Sequence, residues 1–346
     1  MDKIGRLFYL GVIIGLGLMI LQFGYDREAM AKEKVFNWKC QESWPRAALN
    51  LHDDMWPEFL KCVKRRSKGR LNITSFPVGE LIKTPSIPMA ISRGIIEMAH
   101  TCDAFFAGLI PVGQVAFGLP MSQTCRSDVY ALHARGIEDL LREAYAEHGI
   151  YFAGSQAIGK WGIVGSNVPI RKLEDFKGVK IRMLGGAGEL MRRVGASPVA
   201  IAPGELYTAM QLGTVDAIGR EMIEWDTDNY HEVSKYQIKP HFITCTESLI
   251  VNPDAWNSLP EDVKMIFKCC EREYALRLNV AYETYEAGYE AKIREGALIE
   301  LPPEEVDKLR KIAVRMWDEV YAKKSPRCKK AVEIVKKYCR EQGIIK

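Results

Sequence analysis

Arg182 is the residue in this sequence best suited to bind an anion. It stands in the run Lys180-Ile181-Arg182-Met183, whose alternation is that of a short strand with Arg182 on the face opposite Ile181. A guanidinium keeps its charge and offers a fixed fork of N–H donors that matches a carboxylate. The glycine-rich run 185–188 then lets backbone N–H groups approach the same anion. The pattern predicts a carboxylate site, with a surface ion pair as the alternative.

Further polar and aromatic residues complete the candidate site. Glu42 and Trp44 follow the first predicted strand and are expected to line the opposite wall of a cleft, although an ordinary loop explains them nearly as well. Gln156 and Trp161 lie where the chain is predicted to cross between two lobes. An amide oxygen at that crossing is suited to contact a cation or the oxygens of an acid.

A group of acidic residues follows a later predicted strand, which ends at Ile218. This segment contains Glu221, Glu224 and the neighbouring Trp225. One of the three is expected to reach the cleft. Carboxylates only accept hydrogen bonds, so they repel an anionic ligand unless a cation or a hydroxyl lies between them. Their presence favours a binding mode in which a metal ion bridges protein and ligand.

The sequence lacks the motifs of common enzyme classes. Its 6 histidines are scattered, and it contains no HExxH, no Gly-x-Ser-x-Gly and no P-loop. The formal net charge is only +4, and the densest basic cluster, Lys64-Arg65-Arg66, ends a predicted helix. The sequence therefore predicts a binding protein that is not an enzyme and has no nucleic-acid partner.

Two stretches in which strands and helices alternate must position these residues. The predicted strands fall at 35–40, 70–76, 95–100, 179–184, 198–202 and 215–218. Short strands separated by helices indicate parallel βαβ units, hence the α/β class. Because the same order returns about one hundred residues later, we expect two similar lobes facing each other across a cleft.

Helices are predicted from residue 260 onward. Apolar residues recur at helical spacing up to about Gly296, which predicts a helix of roughly 50 Å that braces both lobes. Two more helices follow, one after Pro302-Pro303 and one from Pro326. The predicted division is residues 32–156 for lobe 1, with a return at about 246–260, then 157–245 for lobe 2 and 261–346 for the bracing and C-terminal helices.

The N-terminus has the pattern of an export signal. Lys3 and Arg6 precede the uncharged apolar run 7–23, and Ala29-Met30-Ala31 offers a cleavage site. Residues 1–31 are therefore predicted to be a signal peptide, with an uncleaved membrane anchor as the alternative. Export permits disulfides, yet the 9 cysteines are odd in number. Most are expected to be small buried hydrophobic residues, and their pairing stays open.

Three runs resemble the signature of a known family. They are Asp175-Phe176-Lys177-Gly178-Val179-Lys180-Ile181-Arg182, Gly195-Ala196-Ser197-Pro198-Val199 and Gly204-Glu205-Leu206-Tyr207-Thr208-Ala209-Met210-Gln211-Leu212-Gly213-Thr214-Val215-Asp216. Together they resemble the solute receptors of tripartite ATP-independent periplasmic (TRAP) transporters, of the DctP type. The resemblance implies a two-lobed periplasmic-binding-protein-like fold. It also implies a periplasmic receptor that captures a small organic acid, with Arg182 as anchor, and delivers it to the membrane permease.

The N-terminal part is similar to one branch of that family. Phe36-Asn37-Trp38-Lys39 and Phe117-Gly118-Leu119-Pro120 resemble receptors for 2-oxo acids such as pyruvate, some of which hold a sodium or calcium ion. The resemblance implies a cation site at Gln156, Glu224 and Trp225, although the Glu-Trp pair comes later in this chain than in the family pattern. A C4-dicarboxylate, a sugar acid, or a sensory role remain alternatives.

Overall fold

The computed structural model describes residues 34–44, 51–291, 293 and 295–346. The predicted signal peptide, residues 1–31, lies outside the described residues. In the part that is described, no helix combines the length and the apolarity that a membrane span requires.

One mixed sheet runs through the molecule. Its strands are β1 (Phe36–Glu42), β2 (Leu71–Phe76), β3 (Met98–Thr101), β4 (Tyr151–Ser166), β5 (Lys180–Arg182), β6 (Ser197–Val199), β7 (Ala217–Glu221), β8 (Tyr236–Val251) and β9 (Leu298–Glu300). They lie in the order β2-β1-β3-β8-β4-β7-β5-β6, with β9 beside β8. β1 pairs in parallel with β2 and β3, and β5 with β6 and β7, which confirms the predicted α/β class.

Strands β4 and β8 join these two parallel groups. Each has 16 residues, and they pair antiparallel from Tyr151 opposite Val251 to Ser166 opposite Tyr236. Beyond them, β8 borders β3 and β4 borders β7. The β4–β8 register shifts between Ala157 and Lys160, and such irregularities bend a sheet. Neither long strand is part of the sequence prediction.

Helices fill the connections between strands and follow the last long strand. They are α1 (Leu51–Arg66), α2 (Ile87–Ser92), α3 (Gly113–Phe117), α4 (Arg126–Leu132), α5 (Glu138–Ala146), α6 (Gly185–Arg193), α7 (Leu206–Gln211), α8 (Glu224–Thr227), α9 (Tyr230–Val233), α10 (Pro253–Asn257), α11 (Glu261–Glu290), α12 (Pro303–Met316) and α13 (Pro326–Glu341). The predicted long helix is α11, whose 30 residues span about 45 Å. It packs against both α1 and β4, which suits the predicted bracing role.

A disulfide ties α11 to α1. It joins Cys62 and Cys270, while the neighbouring Cys269 is exposed and free. Residues that follow one another on a helix point about 100 degrees apart, so Cys269 and Cys270 face different neighbours. Most of the other described cysteines are buried thiols, as predicted.

The C-terminal helices pack onto the same core. Trp317 is fully buried, and its Nε1 donates a hydrogen bond to the carbonyl oxygen of Pro120 (3.0 Å). On α13, the hydroxyl of Tyr338 donates to Oδ1 of Asp128 (2.7 Å) near the start of α4. These contacts attach the C-terminal segment to the core.

Candidate functional site

Arg182 is the last residue of β5, and only 3% of it is exposed. Its Nε donates a hydrogen bond to the carbonyl oxygen of Ile201 (3.1 Å), and its Nη1 donates to that of Gly219 (3.2 Å). Among the described residues, no acceptor is bonded to its Nη2. Backbone carbonyls therefore fix the orientation of the guanidinium and leave one edge of the fork for an anion.

A second guanidinium rises from the same face of the sheet. Arg182 pairs in register with Ile218, and Arg220 follows Ile218 by two residues on β7. Side chains two residues apart on a strand project to the same side. Burial, and then the charge of Arg220, lower the pKa of Arg182 below its ordinary value. Two cations so placed attract an anion to the space between them.

Arg220 has its own counter-ion. Its Nε donates to Oε2 of Glu224 (2.6 Å) and its Nη2 to Oε1 (2.5 Å), a bidentate pair. Burial acts to lower the pKa of Arg220, but the carboxylate of Glu224 raises it above its ordinary value. The guanidinium also lies over the indole of Trp161, 5.3 Å from the ring centroid. Burial raises the pKa of Glu224 to about 7 although Arg220 acts to lower it, and the charge of Asp228 also acts on both residues of the pair.

Glu221, the last residue of β7, lies on the other side of the strand. Its carboxyl group lies beside the hydroxyl of Tyr282 of α11. Burial, followed by the charge of Glu224, raises the pKa of Glu221 to about 8. At neutral pH this side chain is therefore mostly protonated, so it adds little negative charge beside the two arginines.

Three of the predicted site residues lie together in this cluster, and the other four lie elsewhere. Arg182, Trp161 and Glu224 form part of it. Gln156 is fully buried, and its Nε2 donates to Oε1 of Glu271 on α11 (2.8 Å). Trp225 is 4% exposed in an apolar cluster of the second parallel group, and its carbonyl accepts from Nδ1 of His231 (2.8 Å).

Glu42 and Trp44 lie at the carboxyl end of β1, in the other parallel group. Glu42 is 2% exposed and accepts a hydrogen bond from the hydroxyl of Ser75 (2.7 Å). The indole of Trp44 packs against Phe105 with 5.6 Å between ring centroids. Their predicted contact with a ligand bound at Arg182 stays a prediction.

Sequence reasoning missed Arg220. The predicted strand ended at Ile218, whereas β7 continues to Glu221. Side chains alternate between the two faces of a strand. If the predicted strand is extended two residues past Ile218, Arg220 therefore lies on the same face as Arg182. The pair of Arg220 and Glu224 gives no local signal, because Arg220 lies near the end of a strand and Glu224 begins the helix that follows it.

A family model and several curated proteins match this chain. The family model described as bacterial extracellular solute-binding protein, family 7 (DctP), matches residues 45–324. A monocarboxylate 2-oxoacid-binding periplasmic protein of Nostoc sp. is 25% identical, over 82% of this chain and 78% of its own. The C4-dicarboxylate-binding periplasmic protein DctP of Rhodobacter capsulatus is 25% identical, over 60% of this chain and 62% of its own.

A solved structure shares the fold of this chain. A TRAP periplasmic solute-binding protein of Colwellia psychrerythraea, with bound calcium and pyruvate, superposes with a TM-score of 0.77 at 23% identity. The match covers 89% of this chain and 95% of the other, and it confirms the two-lobed fold. The family model spans most of the chain, including all three runs that resemble the TRAP receptor signature. The chain therefore belongs to bacterial extracellular solute-binding protein family 7, the DctP family.

Proposed function

We propose that this chain is the periplasmic receptor of a TRAP transporter and captures a small organic monocarboxylate, with 2-oxo and 2-hydroxy acids favoured. The observation that carries the proposal is the guanidinium of Arg182. It is buried, it is oriented by two backbone carbonyls, and its Nη2 edge is unbonded among the described residues. The Nostoc relative is a monocarboxylate 2-oxoacid-binding protein, which supports the same ligand class.

The charge balance of the cluster favours one carboxylate over two. Glu224 pairs with Arg220 through two hydrogen bonds, whereas Arg182 has no carboxylate partner among the described residues. The second carboxylate of a dicarboxylate would have to compete with Glu224 for Arg220. Burying a charge without a partner generally costs several kcal/mol. A cost of that size is enough for the site to prefer a monocarboxylate over a dicarboxylate.

The mechanism we propose is capture followed by closure. The carboxylate of the acid accepts two hydrogen bonds from Arg182 while the cleft is open. The two parallel groups then approach each other by bending at the β4–β8 crossing, where the register is irregular. Closure excludes water and strengthens each polar contact. The closed receptor docks on the permease, which opens it again, and no covalent step takes place.

A thermal-shift screen of residues 32–346 against organic acids tests the proposal. A ligand at one hundred times its Kd should add about 2.7 kcal/mol of stability. We expect pyruvate or a longer 2-oxo acid to raise Tm, and Arg182→Gln to abolish that rise. Arg340→Gln, at an exposed position of α13, should keep it. No response to any organic acid would contradict the proposal.

Two alternatives are outcomes of related measurements. A response to C4-dicarboxylates or sugar acids alone would assign a different ligand to the same receptor, as the name of the Rhodobacter relative suggests. Uptake of labelled ligand by cells distinguishes transport from a sensory role. If uptake does not depend on the chain, the transport part of the proposal is wrong.

A further inference from the structure

A calcium or sodium ion needs several oxygen ligands at once. Calcium binds six to eight oxygen atoms at about 2.3–2.6 Å, so the ligands of one ion lie within about 5 Å of each other. The receptor of Colwellia psychrerythraea was solved with calcium and pyruvate. Whether this chain can hold such an ion depends on whether its amide and carboxylate oxygens meet at one point.

The candidate ligands do not meet. The Nε2 of Gln156 donates to Glu271, and its Oε1 is buried without a hydrogen-bond partner among the described residues. Glu221, three residues before Glu224, lies beside Tyr282 instead. Glu271 and Tyr282 are about three turns apart on α11, which separates them by about 16 Å along the helix. Gln156 therefore contacts a different part of α11 from the Arg220–Glu224 cluster.

The remaining candidate ligands already have partners. Both carboxylate oxygens of Glu224 accept hydrogen bonds from Arg220, and the carbonyl oxygen of Trp225 accepts one from His231. Within the described ranges, no group of three or more His, Cys, Asp or Glu side chains is arranged to hold a metal ion. The residues present do not fit the ion.

What the cluster offers instead is a second guanidinium. Arg220 uses its Nε and Nη2 for Glu224, and its Nη1 has no bonded acceptor in the part of the chain that the structure describes. The Nη2 of Arg182 is likewise unbonded, and both residues rise from one face of the sheet. Stacking on Trp161 and pairing with Glu224 hold Arg220 in position.

We infer that Arg220 takes the place of a metal ion: Arg182 binds the carboxylate of the acid, Arg220 donates to the oxygen on its second carbon, and binding requires no cation. This inference rests on the proposed function. It defines the ligand class as acids that carry an oxo or hydroxyl group next to the carboxylate. Such oxygens accept hydrogen bonds, whereas a methylene group at the same position cannot.

Calorimetry with pyruvate and propionate tests the inference, because the two acids differ in the oxygen on the second carbon. Metal-stripped wild type should bind pyruvate as tightly in EDTA as in added calcium, and should bind propionate more weakly. In the double variant Arg220→Gln/Glu224→Gln, pyruvate affinity should fall roughly 10- to 100-fold, as for loss of a hydrogen bond to a charged group. Propionate affinity should change little.

The variants control for folding and for charge. The double variant replaces both members of the ion pair by neutral groups of similar size, so its Tm without ligand should stay near that of wild type. Arg220→Gln alone should lose more affinity, because Glu224 then faces the acid without its counter-ion. Arg340→Gln should bind like wild type.

Other outcomes separate the inference from the proposed function. If pyruvate binds to wild type only when calcium or sodium is present, the inference is overturned and the receptor function stands. The inference is also overturned, and the receptor function stands, if the ratio of pyruvate to propionate affinity is the same in the double variant as in wild type. If wild type binds no organic acid under any condition, both fail.

Discussion

Gly159 on β4 lies directly against Glu221 on β7. A Cβ atom on residue 159 would come 1.5 Å from Oε1 of Glu221, far inside any real contact. The carboxyl group fills the space that a side chain would occupy, and it lies beside the hydroxyl of Tyr282. Because Arg220 precedes Glu221, this contact also helps to set the position of the second guanidinium.

We therefore expect Gly159→Ala to weaken both the fold and the site. The added methyl group must displace Glu221, and overpacking of this kind typically costs about 1–3 kcal/mol. Urea unfolding measures the loss. The matched control is Gly288→Ala on α11, where nothing lies within 4 Å of an added Cβ. Since alanine is the better helix former, the control should gain about 0.5–1 kcal/mol. Equal effects at both positions would contradict the steric argument.

The parts of the fold that sequence predicted are those with regular periodicity. The parallel strands and α11 each carry an alternating or helical pattern that local chemistry fixes. β4 was missed because Gly154, Gly159, Gly162 and Gly165 interrupt its sequence, and glycine normally weakens a strand. Here two of these glycines make room for carboxylates, Gly154 for Glu271 and Gly159 for Glu221. Tertiary contacts of this kind leave no local pattern.

In the candidate site, too, a local pattern predicts some residues, whereas others depend on packing between distant elements. Arg182 could be predicted because its fork of donors stands at the end of a regular strand. Arg220 could not, because the strand was predicted to end too early. The partner of Gln156 depends on where α11 crosses β4, and that crossing is a property of packing between elements that lie 115 residues apart in sequence.

The buried carboxyl group of Glu221 should make stability depend on pH. Burial, and then the charge of Glu224, raise its pKa to about 8, against about 4.3 for an unfolded glutamate. Between these values the folded protein holds a proton that the unfolded chain releases. The free energy of unfolding therefore falls as pH rises through this window.

Glu221→Gln removes the group that binds a proton in the folded state but not in the unfolded state. Relative to wild type, the variant should be about equally stable near pH 4, and more stable at pH 8.5 by at least about 1 kcal/mol, since one pKa unit corresponds to about 1.4 kcal/mol. Urea unfolding at both pH values measures the difference. Glu333→Gln, at an exposed position on α13, should show the wild-type slope. A difference for Glu221→Gln that does not change with pH would exclude Glu221 as the titrating group.

The disulfide between α1 and α11 should contribute strongly to stability. It joins residues separated by 208 positions, and a cross-link across a long loop restricts the unfolded chain. We expect Cys62→Ser, or reduction of wild type, to cost about 2–5 kcal/mol. Cys269→Ser changes the exposed free neighbour of Cys270 and should cost little. If reductant leaves the urea midpoint of wild type unchanged, the bond does not form in the protein.

A buried ion pair between Arg126 and Glu286 links the start of α4 to α11. Arg126 is fully buried, and its Nη1 and Nη2 donate to the two carboxylate oxygens of Glu286 at 3.0 and 2.5 Å. The guanidinium also lies over Tyr282, 4.7 Å from the ring centroid, and Lys160 reaches the same carboxylate (2.9 Å). Removing one partner of such a pair leaves the other buried and charged.

Arg126→Met should therefore cost about 3–5 kcal/mol in the free energy of unfolding, whereas Arg126→Met/Glu286→Leu should recover most of that loss. In the double variant, Lys160 is left without this carboxylate, but it is partly exposed and can reach water. The control is Arg142→Gln on α5, whose exposed pair with Glu138 should contribute at most about 1 kcal/mol. Urea unfolding of the four proteins, wild type included, gives the comparison. A double variant no more stable than Arg126→Met would show that packing around Tyr282, rather than charge pairing, determines the stability of this contact.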